Sequence, residues 1–275
     1  MNVAFNIRSQ AIDTGTSQLL VEVGPGGISF VVVEGENSFS TVVVYNFTQG
    51  LPPEKMADEI KAIVQQESSL NNSFKKTNII WNFKESILVP GEFFNTVSNT
   101  EMLNLVYGDA GHYEVKTDFV FRHNMHNVYR LPAQVVAALP ATWQYAHQTH
   151  QYSLLPDLAE KTGDCLRAIF YSNSFTVMLT KAGKLQVIQH FDYQNADDVA
   201  YHLLNICDSF AVKANEAILH VSGMIDTGSN LYTTLYKYFL NIELASLPAN
   251  AVYSDEIKSY PAHFFSHLFT LALCV

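Results

Sequence analysis

The chain has 275 residues, 48% of them hydrophobic and 15% charged, with a formal net charge of -10 at pH 7. That composition suits one or two folded domains with a large apolar core and excludes a disordered chain. Nucleic acid is held mainly by cationic side chains, and no basic run here is longer than Lys75-Lys76, so no nucleic-acid partner is expected.

The N-terminal stretch Met1 to Arg8 carries no basic region followed by an apolar run, so no secretory signal is expected. No segment approaches the ~20 apolar residues of a transmembrane helix, and Phe264 to Val275 reads as a buried terminal helix. Cys165, Cys207 and Cys274 are odd in number and far apart, which argues against a disulfide framework or a zinc site. A cytoplasmic protein that is not membrane-inserted is the expectation.

Residues 1–18 are mixed in character. Leu19 to Val23, Ile28 to Val33 and Thr41 to Tyr45 then read as three strands rich in β-branched residues. The turns between them are Gly24-Pro25-Gly26-Gly27 and Gly35-Glu36-Asn37. A helix follows Pro52-Pro53, with Met56, Ile60, Ile63 and Val64 on one face. Thr77 to Trp81 reads as a buried strand. A helix is predicted near Phe93 to Val106, followed by a less regular region through Pro140.

The second half repeats this order. Cys165 to Tyr171, Phe175 to Thr180 and Leu185 to Phe191 are strands. A helix carries Val199, Leu203, Ile206 and Phe210, Glu216 to Val221 is the next strand, and Ser229 to Leu240 is helical. Corresponding positions keep nearly constant spacing: 147 residues from Leu19 to Leu166, 146 from Thr41 to Val187, and 139 from both Ile60 to Val199 and Ile79 to Ile218. One shorter connection accounts for the step. A period this long is a duplicated domain, since solenoid repeats run at ~20–50 residues. The predicted architecture is α/β with two lobes, 1–150 and 151–275, each a three-strand antiparallel meander extended by further strands with helices on the sheet.

That element order, given twice, is the order of the ribonuclease-H-like module. With Tyr193-Gln194-Asn195-Ala196-Asp197-Asp198 leading to Tyr201-His202-Leu203-Leu204, and with Leu219-His220-Val221-Ser222-Gly223, the chain resembles the actin-like ATPase superfamily. Within it, the chain resembles a bacterial family of uncharacterised proteins known as a domain of unknown function. The resemblance implies a nucleotide between the lobes, with a turn after the first strand of each lobe around the phosphates and an Asp for the metal. Glu22 stands where that Asp is expected. Gly24, Gly26 and Gly27 supply the glycines of the first turn, and Pro25 removes one backbone donor. Tyr171-Ser172-Asn173-Ser174 has neither Asp nor Gly. Of the paired glycines of the adenosine motif only Gly223 is present, and Met224 replaces the second. Magnesium-assisted phosphoryl transfer needs carboxylates at the metal and donors on the phosphates. The depleted turns therefore point away from an ATPase, and no catalytic or metal-binding residue is assigned.

Other constellations offer enzyme readings. Asp13-Thr14-Gly15-Thr16 and Asp226-Thr227-Gly228-Ser229 resemble the paired loops of pepsin-like proteases, where two carboxylates share a proton. Asp226 opens an apparent helix and Asp13 has too little chain before it for a lobe, so both read as loop or cap residues. His123/His126 and His147/His150 are spaced to meet on a helix face and bind zinc, but no Cys or acidic partner sits beside them. His263 and His267 are expected at the wetter edge of the terminal helix. Asp197 and Asp198 begin a helix, where negative charge is favourable.

The resemblance, with its depleted phosphate turns, implies a non-catalytic binding or adaptor protein that holds a peptide segment of a protein partner, as pilus-assembly and cell-division relatives of this fold do. No cofactor is expected, although Mg-ATP is possible. The alternatives are a divergent nucleotide-binding ATPase or kinase using Glu22, Gly24, Gly26, Gly27 and Gly223, and, more remotely, an aspartic protease using Asp13 and Asp226.

Overall fold

The computed structural model describes residues 2–8, 12–159 and 162–275. The chain divides into two compact units. The first comprises Met1–Leu154, Asn250–Ser259 and Ala272–Val275, and the second Leu155–Ala249 and Tyr260–Leu271. The sequence places one boundary at 150; the structure instead returns two C-terminal pieces to the first unit. Backbone pairing accounts for one of them, because Val252 and Tyr253 pair in parallel with Ser38 and Phe39 and the Tyr253 ring stacks on Phe39.

In the first unit, β1 (Asn2–Arg8), β2 (Gln18–Gly24), β3 (Gly27–Glu34), β4 (Ser38–Asn46), β5 (Lys76–Trp81) and a short β9 (His147–His150) form one sheet in the order β1-β4-β3-β2-β5-β9. The strand β15 (Val252–Tyr253) joins β4. Strands β2, β5 and β9 are parallel, and the meander is antiparallel. The helix α1 (Pro53–Gln66) lays Met56, Ile60, Ile63 and Val64 against this sheet. Ile60 is fully buried, so truncation to alanine would cost about 2–5 kcal/mol.

The sequence reading found no strand before Leu19. Yet β1 pairs with β4, from Asn2 opposite Asn46 to Arg8 opposite Thr41. Its alternation is weak because most of it is exposed. A long-range ion pair anchors its end: Arg8 Nη2 lies 2.6 Å from Glu67 Oε2, just past α1. Glu67 also accepts from the Tyr45 hydroxyl. Burial, then the Glu67 carboxylate, push the Tyr45 hydroxyl up to about 12.

Between β5 and β9 a second, three-stranded sheet is inserted. It holds β6 (Ser86–Pro90), β7 (Tyr113–Val120) and β8 (Met125–Pro132) in the order β6-β8-β7, with α2 (Asn99–Tyr107) over it. The helix predicted near Phe93–Val106 thus begins later, because Thr96–Ser98 form a 3₁₀ turn whose Asn95 side chain accepts from Val97 N. The short α3 (Ala133–Ala137) follows and packs on α1, and α4 (Gln151–Leu154) closes the unit after β9.

In the second unit, β10 (Cys165–Phe170), β11 (Ser174–Lys181), β12 (Lys184–Asp192), β13 (Ile218–Gly223) and β14 (Asn241–Leu244) run in the order β12-β11-β10-β13-β14. This is the same third-second-first-fourth-fifth order as β4-β3-β2-β5-β9. The duplication inferred from sequence spacing is therefore present as topology. The helix α5 (Ala196–Ser209) begins with a capping box: Asn195 accepts from the Asp197 and Asp198 amides while Asp198 accepts from Asn195 N. The backbone N–H of Gln194 and then Asn195 hold the Asp198 carboxyl below its usual range. The helix α6 (Asn230–Tyr236) packs on α5. It is shorter than the predicted Ser229–Leu240, ending before Phe239, which is buried in this core. The chain ends with α7 (Asp255–Lys258) and α8 (Ser266–Cys274). Among the described residues no helix is long and apolar enough to cross a membrane.

Candidate functional site

The residues singled out for a nucleotide fall in two places. Glu22, Gly24, Gly26 and Gly27 lie on the β2–β3 hairpin of the first unit, and Gly223 ends β13 in the second. Glu22 is buried, 3% exposed, and its Oε1 accepts from Gln151 Nε2 at 3.1 Å. A Cβ on Gly24 would come within 2.8 Å of Asn82 O, and one on Gly27 within 2.1 Å of Tyr45 O. The Gly26 carbonyl accepts from Phe47 N at 2.9 Å. At Gly223 the backbone has φ +83°, and a Cβ would sit 2.1 Å from Phe170 O, which accepts from Met224 N at 2.7 Å. Close backbone packing accounts for the glycines at 24, 27 and 223 without a ligand. A side chain introduced at Gly223 therefore tests folding before it tests binding.

Asp13 and Asp226 each close their own loop. Asp13 accepts from Gly15 N and the Thr16 hydroxyl, and Asp226 accepts from Gly228 N at 2.6 Å. The histidine pairs do not act as pairs. His150 is fully buried while His147 is exposed, and the His126 ring stacks on Phe94 at 3.6 Å. His263, expected on a wet edge, is buried instead and bonds Ile225 O through Nε2 at 2.7 Å. Among the described residues no group of three or more His, Cys, Asp or Glu side chains is placed to hold a metal ion.

The feature the sequence reading missed is the inserted sheet. Its edge strand β7 alternates between exposed and more buried positions from Val115 to Val120, as a strand with two different faces does. One face is fixed into the first unit. Asp118 accepts from the Tyr129 hydroxyl (3.1 Å), the Thr149 hydroxyl (2.9 Å), His150 N (2.8 Å) and the Ser153 hydroxyl (2.6 Å). Lys116 donates to Gln148 and lies 5.9 Å from the Trp81 ring centre. Burial of His150 pushes its imidazole down to about 4, and its Nε2 donates to Phe83 O at 2.8 Å, so the ring is neutral near pH 7.

The opposite face of β7 presents Val115, Thr117 and Phe119 outward, followed by Phe121. Phe119 and Phe121 are 53% and 80% exposed and meet edge to face. The helix α2 adds Leu105 and Val106, 88% and 59% exposed. Its other flank is occupied: Asn104 accepts from Arg130, and the Tyr107 hydroxyl donates to Ser86 O. Arg130 anchors the insert. Its side chain is 3% exposed, lies 2.5 Å from Glu85 Oε2, bonds Gly108 O at 2.9 Å and stacks on Tyr113. Of sixteen exposed large hydrophobic side chains among the described residues, seven fall between Phe93 and Phe121, so apolar exposure is concentrated on this insert. Among the described residues β7 pairs with β8 alone, which leaves its outer edge unpaired.

Residues 8–242 match the model of a family described as Protein of unknown function (DUF3822). The chain belongs to that family. No curated protein matches the sequence. Among solved structures, a Bacteroides thetaiotaomicron protein with actin-like ATPase fold and unknown function is similar at TM-score 0.76 and 15% identity, over 95% of this chain and 99% of that one. A PilM–PilN type IV pilus biogenesis complex follows at TM-score 0.59 and 13% identity, covering 93% and 97%. The ethanolamine utilization protein EutJ from Carboxydothermus hydrogenoformans is similar at TM-score 0.50 and 7% identity, covering 98% and 92%. The DUF3822 chain therefore has the actin-like ATPase fold, as its duplicated strand order implied. At these identities the likeness extends to the fold alone.

Proposed function

We propose that this DUF3822 protein is a non-catalytic binding protein that holds an extended, apolar segment of a partner protein along the free edge of β7. The observation that carries the reading is the edge itself: an eight-residue strand with an unpaired outer edge among the described residues and outward apolar side chains, backed by the Asp118 and Arg130 networks. A strand added there gains main-chain hydrogen bonds, and alternate side chains meet Val115, Phe119 and Phe121. That one fold relative is a complex of two proteins, PilM and PilN, is in keeping with such a role. The close packing at Gly24, Gly27 and Gly223 adds support, since it explains those glycines without phosphate.

A photo-crosslinking residue in place of Phe119, in the cell that makes the protein, tests this. Capture of one defined protein, absent with the same residue in place of Lys61 on α1 and lost on adding Phe121→Asp, is the expected result. Equal capture from both positions would refute it. Melting with Mg-ATP, Mg-ADP and AMP tests the nucleotide reading. A ligand at a hundred times its dissociation constant stabilises the native state by about 2.7 kcal/mol. A saturable shift of that size would replace the present reading with a nucleotide-dependent one.

A further inference from the structure

The second unit contains a cavity of about 280 Å³ on the face of its sheet, between β10, β13 and β14 and residues 266–271 of α8. Its floor is unusual for the middle of a parallel sheet, where apolar runs are the rule. Arg167 of β10 stands in register with His220 of β13, and His220 with Glu243 of β14. Three ionisable side chains thus cross the sheet in one row, spanning about 10 Å at ~4.8 Å per strand. His220 Nδ1 lies 3.4 Å from Glu243 Oε2, with Glu243 the more exposed of the pair at 56%. One row further along, Ile169 pairs with Ser222.

Two further polar side chains line the site. The Ser222 side chain is buried, 6% exposed, and lines the cavity. His267 also lines the cavity, and its Nδ1 is enclosed with nothing to bond. A buried N–H without an acceptor costs more than a buried lone pair, so the proton belongs on Nε2. Burial pushes the imidazole down to about 3, which keeps it neutral. The Arg167 Nη2 donates to Leu158 O at 3.3 Å, which fixes the guanidinium over the floor. Leu158, Ile169 and Leu271 supply aliphatic wall.

We propose that this cavity binds a small carboxylic acid bearing an amino or hydroxyl group, of amino-acid size. The carboxylate meets the planar Arg167 fork, the geometry that guanidinium recognises best. The Ser222 hydroxyl adds a donor to the carboxylate, while the bare His267 Nδ1 accepts from the ligand's amino or hydroxyl group. The amino or hydroxyl group faces Glu243 and His220, and the short carbon skeleton lies on Leu158, Ile169 and Leu271. This inference stands apart from the β7 reading, since every residue in it belongs to the second unit.

The test is thermal melting and calorimetry of the full chain with the α-amino acids and three- to five-carbon α-hydroxy acids. Each acid is paired with its carboxamide, and sulfate serves as a generic anion. At least one acid should raise Tm saturably, its amide should not, and Arg167→Gln should weaken it roughly tenfold to a hundredfold. Ser222→Ala, a smaller change, should weaken it severalfold with the unliganded Tm unchanged. Should Arg167→Gln fail to fold, the acid-versus-amide comparison on the unaltered chain decides. No shift with any acid, equal shifts with acid and amide, or the same shift with sulfate would overturn the proposal.

Discussion

Arg130→Ala should release α2 from the inserted sheet. Arg130 is 3% exposed and holds four groups together: Glu85 at 2.5 Å, Asn104 Oδ1 at 2.9 Å, Gly108 O at 2.9 Å and the Tyr113 ring. Truncation leaves the Glu85 carboxylate and the Gly108 carbonyl without their cation. Breaking a buried ion pair from one side costs about 3–5 kcal/mol. The apolar contact under α2 is small, centred on Val89, Leu103 and Val128, and cannot compensate. Because the chain has two units, a single unfolding free energy is a poor readout, and local opening is the sharper one. Native-state hydrogen exchange of the Leu103 to Gly108 amides should accelerate by roughly two to three and a half orders of magnitude, at about 1.4 kcal/mol per tenfold. Arg130→Lys keeps the charge but not the fork, and should recover less than half of the loss. Acceleration below tenfold in the alanine variant would show that Arg130 does not hold the insert.

Three further outcomes follow from the same structure. Gly223→Ala should destabilise the second unit by at least about 3 kcal/mol, combining the left-handed backbone cost with contact at Phe170 O, whereas Gly35→Ala, with open space around it, should cost about 1 kcal/mol; denaturant melts of both distinguish them. His150 is neutral in the fold at about 4 against 6.5 unfolded, so its contribution is full above pH 6.5 and is lost as pH falls toward 4. Stability should drop by about 2 kcal/mol between pH 7 and pH 5 from this residue, and His150→Gln should flatten that limb. Phe119→Ser with Phe121→Ser should leave Tm within about 1 °C, since exposed positions contribute little, while abolishing partner capture.

The duplicated scaffold was legible in the sequence because its signals are local and strong. Meanders such as Leu19–Val23 with Ile28–Val33 are β-branched runs joined by glycine turns, and α1 and α5 keep strict helical spacing on their buried faces. What the sequence hid depends on contacts between distant residues. β1 is mostly exposed and is identified by pairing with β4 and by Arg8 reaching Glu67, 59 residues away. β7 does alternate in Glu114-Val115-Lys116-Thr117-Asp118-Phe119, a signal that could have been read. That its inward Asp118 gathers donors from Tyr129, Thr149, His150 and Ser153 could not. The row Arg167, His220, Glu243 is likewise invisible along the chain, because register across parallel strands aligns side chains separated by long stretches of sequence. The glycines show the same division. The family resemblance implied phosphate turns at Gly24–Gly27 and Gly223, and only the carbonyls of Tyr45, Asn82 and Phe170 pressed against three of them reveal why a side chain does not fit. Local propensity and periodicity determined the strands and helices of the duplicated scaffold; the tertiary structure alone decided which faces are left open for another molecule.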